Sequence, residues 1–145
     1  MTNKNGDSFN YTFEFKLANV AEAFSINLGI VAEVTKIIEA ENDQNIWIKH
    51  NQELRKIAVD QLQKENNKTL KNTYTKYLSI SYNNDGANEL YNEKFEKAIQ
   101  LYKKSFIISN QINYHYGSAL ALQNIGTAFD YLGKIDSTLV YMKKA

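Results

Sequence analysis

No cysteine and no proline occur among the 145 residues, and there are only six glycines, two histidines and two methionines. Without cysteine there are no disulfides, no thiolate nucleophile and no thiolate-held structural zinc, a composition that a reducing compartment accommodates. Without proline, and with little glycine, uninterrupted helices are favoured over a strand-and-turn fold. An excess of one charge is also missing: 17 basic and 16 acidic residues leave a net charge of +1, with the two signs interspersed. Such a chain has no field to steer a polyanion, so no nucleic-acid partner is expected. Long apolar runs are absent too. The most hydrophobic window, 17–38, carries Glu22, Glu33 and Lys36, and residues 1–10 are polar with no apolar core of a secretory signal. Neither stretch suits a membrane span or an export signal, so no membrane partner is expected and a cytoplasmic location is.

Enzyme signatures are missing as well. There is no Gly-rich phosphate loop, no Gly-x-Ser-x-Gly elbow and no histidine pair at metal spacing. His50 and His115 fall on different expected helices and read as surface residues. The expectation is a non-enzymatic protein that needs neither a cofactor nor a metal.

What is present is an ordinary globular composition, 43% hydrophobic and 23% charged, in a length that suits one domain. Phe9, Tyr11, Phe13, Phe15 and Leu17 alternate with Asn10, Thr12, Glu14 and Lys16. The same residues partly fit a helical step, but the aromatic and threonine content favours an extended N-terminal arm over 1–16. From Leu17 the stripe Val20, Phe24, Leu28, Val31, Val34 and Ile38 is helical, and Asn42-Asp43-Gln44 breaks it. A second helix follows over about 44–65 through Trp47, Leu54, Ile57, Ala58 and Leu62, which makes 17–68 a helical hairpin.

The remaining segment, 69–145, repeats itself. Gly86 recurs as Gly126, Asn84 as Asn124, Ile99 as Leu139, and Lys103-Lys104 as Lys143-Lys144, always after the same interval in the numbering. Ala58 precedes Ala98 by that interval too, the one sign that the 17–68 hairpin is a degenerate repeat. Each copy holds two helical apolar stripes: 69–90 and 95–109 in the first, 114–132 and 135 onward in the second, with Gly133 as a stop signal. Ala98, Ile99, Tyr102, Phe106 and Ile107 are the expected inward residues of the first copy's second helix. One such unit cannot bury its face alone, which is the logic of a helical solenoid.

These copies resemble the tetratricopeptide repeat family. The likeness rests on the small residue where helix A crosses helix B (Gly86, Gly126), the residue opening helix B (Phe95, Ile135) and the small residue within it (Ala98, Thr138). A large and then a small residue follow in each copy, Tyr102 and Ser105, then Met142 and Ala145. The period is longer than the family's roughly 34 residues and resembles its long bacterial variants. Lys94 and Lys134 replace the usual acid before helix B, and Asp85 and Glu89 stand where the second copy has Ile125 and Phe129. The resemblance implies an all-α, right-handed solenoid of antiparallel hairpins, with repeats at 69–113 and 114–145, the second truncated.

It also implies a scaffold that holds a peptide or protein segment on its concave face, or else the sensor region of a longer bacterial signalling protein. Carried over by position, that face is Ile80, Asn83, Asn84, Ala87, Leu90 and Tyr91 from one repeat and Leu120, Gln123, Asn124, Thr127, Asp130 and Tyr131 from the next. Asn84 and Asn124 either hold peptide units of a ligand or bridge adjacent helices, since an amide both donates and accepts. Asp85 and Glu89, at i and i+4, read as a solvated edge. Leu139, Met142 and Ala145 carry an apolar stripe to the last residue, so this end is expected to be covered by further chain or by self-association.

Overall fold

In a computed structural model, residues 43–145 are described; the expected arm over 1–16 and first helix over 17–40 lie outside them. The described residues form helices α1 (Gln44–Lys64), α2 (Lys68–Tyr91), α3 (Phe95–Gln111), α4 (His115–Tyr131) and α5 (Ile135–Lys144), with no strand. Each helix packs on the next, and α2 also touches α4.

Local chemistry sets the boundaries. The Asp43 carboxylate accepts from the backbone N–H groups of Asn45 and Ile46 to open α1, and the Asn67 side chain accepts from Leu70 N–H to open α2. The next three turns share one design. Glu93, Asn113 and Gly133, evenly spaced along the chain, take positive φ angles of 59°, 56° and 70°. In each, the left-handed residue donates to the carbonyl three back and its successor to the carbonyl five back: Gly133 to Asp130 at 2.9 Å and Lys134 to Phe129 at 2.9 Å are one instance. Lys94 to Glu89 at 2.8 Å and Tyr114 to Ser109 at 2.9 Å are the matching long bonds. This pair of bonds satisfies the last carbonyls of the helix while reversing the chain. With α3 and α4 at 17 residues each, the turns hold the helices to a fixed spacing.

The sequence repeat has a packing counterpart. Gly86 lies against the ring of Tyr102 and Gly126 lies against Met142, glycine to large residue at the same offset in both copies. Absence of a side chain lets α2 approach α3, and α4 approach α5, at those points. Ala98, Ile99 and Tyr102 of α3 join Ile125 and Ala128 of α4 in a core that Leu90, Phe129, Leu132 and Tyr141 border. Deeper in the α2/α3 contact, hydroxyls replace hydrocarbon. Ser79 Oγ bonds Ser105 Oγ at 3.0 Å, the Ser105 carbonyl at 3.1 Å and Ser109 Oγ, all three serines being fully buried.

Four expectations about burial change here. Ile107, expected inward, is 56% exposed, because Ser105 and Ser109 occupy the α3 face that meets α2. His50 is buried, since it continues the α1 stripe of Leu54, Ile57, Ala58 and Gln61; His115 is exposed. Asp85 is drawn towards α1, where Arg55 pairs with its carboxylate and Asn51 Nδ2 donates to it at 2.6 Å. Glu89 instead meets Lys97 of α3 at 2.8 Å, with 13% of its side chain exposed. Their partners sit on other helices, and that turns an apparent solvated edge into two interhelical contacts.

Candidate functional site

Helices α2 and α4 lie side by side, and the shallow space between them gathers residues from both repeats. Ile80, Asn83 and Asn84 of α2 and Leu120 of α4 line a cleft of about 120 Å³, closed by Ser79, Ser105, Tyr114, Tyr116 and Gly117. Gly117 permits this closure, because a Cβ there would stand 2.6 Å from Ser109 Oγ and closer still to the Tyr114 ring. Lys76 Nζ sits 4.9 Å from the centroid of the Tyr114 ring and brings a cation to that end of the cleft.

The other residues expected on this face are placed less uniformly. Ala87, Tyr91, Gln123, Asp130 and Tyr131 reach solvent, while Asn124 and Thr127 are half-buried. Thr127 donates its hydroxyl back to the Gln123 carbonyl at 3.1 Å. Leu90 borders the α3/α4 core, so its side chain is engaged in packing. Tyr91 and Tyr131 present 77% and 64% of their surface, and Tyr131 stacks flat on Phe95 with ring centroids 5.4 Å apart.

Both key asparagines bridge helices. Asn84 Nδ2 donates to Asn51 Oδ1 of α1 at 3.1 Å, and Asn124 Nδ2 donates to Asn83 Oδ1 of α2 at 2.9 Å. Asn51 passes the chain of bonds on to the Ser81 carbonyl at 2.9 Å and to Asp85. Arg55 completes it by donating to the Ser81 carbonyl at 3.1 Å while lying 4.4 Å from the centre of the Tyr82 ring. The polar ladder thus fixes how α1, α2 and α4 sit against each other, and Asn83 and Asn84 remain at the cleft wall.

A second cleft, about 700 Å³, opens between α3, α4 and α5, and the sequence pattern does not reveal it. Phe106, Ile107, Leu122, Ile125 and Tyr141 line it, with Lys103 and Lys144 beside them. Phe106 and Ile107 are the available signal, but their helical spacing reads as core. Two phenols are shifted by their surroundings. Burial pushes the Tyr102 phenol up to about 12, and raises Tyr77 as well.

Among the described residues, no group of three or more His, Asp or Glu side chains gathers as a metal site, and no helix is long and apolar enough to cross a membrane. Comparison of the chain with protein-family models, curated proteins and solved structures finds no match.

Proposed function

We propose that 69–145 forms two tetratricopeptide-like repeats of the long bacterial type, and that the α2/α4 cleft receives an extended segment of a partner protein. The reading is of a binding scaffold without catalytic chemistry. The observation that carries it is the pair of equivalent crossings, Gly86 on Tyr102 and Gly126 on Met142, which gives the two hairpins the same internal packing, as repeats of one unit require. Supporting it, the cleft draws on both repeats and mixes apolar walls (Ile80, Leu120) with amides (Asn83, Asn84). A volume near 120 Å³ is well below the roughly 300 Å³ of a small-molecule pocket and suits one inserted side chain, with the amides meeting the adjacent peptide units.

A peptide array probed with the intact chain tests this. Bound peptides are expected to share an apolar anchor, and Leu120→Glu is expected to weaken them about tenfold or more by placing a charge in the wall. Ile107→Glu, on the opposite cleft, is expected to leave them unchanged. An array with no bound peptide, or binding lost through Ile107→Glu and retained in Leu120→Glu, would sink the reading.

A further inference from the structure

Helix α5 repeats α3 at the interval that relates the two copies, so Ile135, Leu139 and Met142 correspond to Phe95, Ile99 and Tyr102. On α3 that flank is roofed by α4, and Ile99 and Tyr102 keep only 6% and 1% of their surface. On α5 the same flank is largely open: Ile135 and Leu139 are 66% and 53% exposed, Met142, which rests on Gly126 of α4, is still 41% exposed, and the neighbouring Val140 is 49% exposed. Spacings of four and three make it one continuous apolar strip.

Charge along its edge indicates what fits there. Asp136 lies in the first turn of α5 and Lys143 in the last, and with Val140 they fall on one line, i, i+4 and i+7, beside the strip. We propose that this flank is the contact between two copies of the chain, packed antiparallel about a two-fold axis near Leu139. At about 1.5 Å rise per residue, Asp136 and Lys143 lie about 5 Å on either side of that axis. Reversing the second helix therefore sets Asp136 of each copy against Lys143 of the other, on the same edge of both strips. Ile135 then faces Met142 across the contact, and Leu139 packs near its counterpart. A flank that carries its own charge complement is matched by itself, as an isologous contact requires. The contact uses neither wall of the α2/α4 cleft, so loss of peptide binding and loss of pairing are separate results.

Sedimentation equilibrium of the full chain over a wide concentration range is the test. Wild type is expected to form a dimer. Asp136→Lys and Lys143→Asp, alone, each place like charges together twice and are expected to raise the dimer Kd about tenfold or more. Mixed in equal amounts, the two variants have complementary edges, and a one-to-one heterodimer is expected to return. That recovery separates a lost contact from a damaged fold, and Leu139→Glu, which keeps both charges, is expected to give monomers. A wild type that stays monomeric throughout overturns the proposal and leaves the flank to a different partner. So does a dimer indifferent to both charge reversals, or a mixture that forms no heterodimer.

Discussion

A methyl group added at Gly86 would meet Cδ1 and Cε1 of Tyr102 at 2.6 Å, and that ring is 1% exposed with nowhere to retreat. At Gly126 the nearest atoms, at 3.1 and 3.2 Å, belong to the flexible and 41% exposed Met142. Alanine gains about 1 kcal/mol over glycine within a helix, while overpacking a rigid core costs about 1–3 kcal/mol. Gly86→Ala is therefore expected to lose up to about 2 kcal/mol of stability, and Gly126→Ala to be neutral or gain up to about 1 kcal/mol. Urea unfolding of both variants beside wild type checks this, and a Gly86→Ala chain as stable as Gly126→Ala would show that the two crossings are not built as described. The glycines themselves are legible from their recurrence. Asp85 and Glu89 are not, because a carboxylate at an apolar position looks solvated until Arg55 and Lys97 are seen across the helix contact. Sequence spacing along one helix carries no information about which cation another helix brings.

Turns are where element boundaries become legible or hidden. Gly133 announces its turn, since a residue at φ 70° is unstrained only as glycine, and Asn113 tolerates the same geometry. Glu93 at φ 59° gives no such signal, though its backbone bonds repeat those of Gly133. The end of α2 is readable only because Phe95 and Ile135 open their helices at equivalent points of the two copies. Strain at a left-handed non-glycine residue costs on the order of 1 kcal/mol. Glu93→Gly is thus expected to raise stability by about 1 kcal/mol, and Gly133→Ala to lower it by about as much, since nothing lies within 4 Å of the added methyl to compensate or clash. Thermal unfolding midpoints moving in opposite directions would bear this out. Shifts of the same sign, or none, would mean that the turns do not hold left-handed residues in solution.

At the scale of the whole molecule, contacts among the described helices run mainly from each helix to the next, with α2 also touching α4, so stability is expected to be graded along the described residues. The helical character of the described residues and the order of their helices are legible from periodicity. The clefts are not, because a cleft is a relation between helices, whereas a hydrophobic stripe belongs to one. Helix α3 is held on both sides, by α2 and α4, and buries Ala98, Ile99, Tyr102, Ser105 and Ser109. Helix α5 leans on α4 and buries no residue completely. Amide hydrogen exchange should therefore be slowest in α3 and in the halves of α2 and α4 that face it, and fastest in α5, where opening exposes little new surface. Because pairing of two copies would cover one flank of α5, its protection should also rise with protein concentration while that of α3 holds steady. Uniform exchange across α2–α5 at every concentration would point to a single cooperative unit, and the picture of stacked hairpins joined neighbour to neighbour would have to be abandoned.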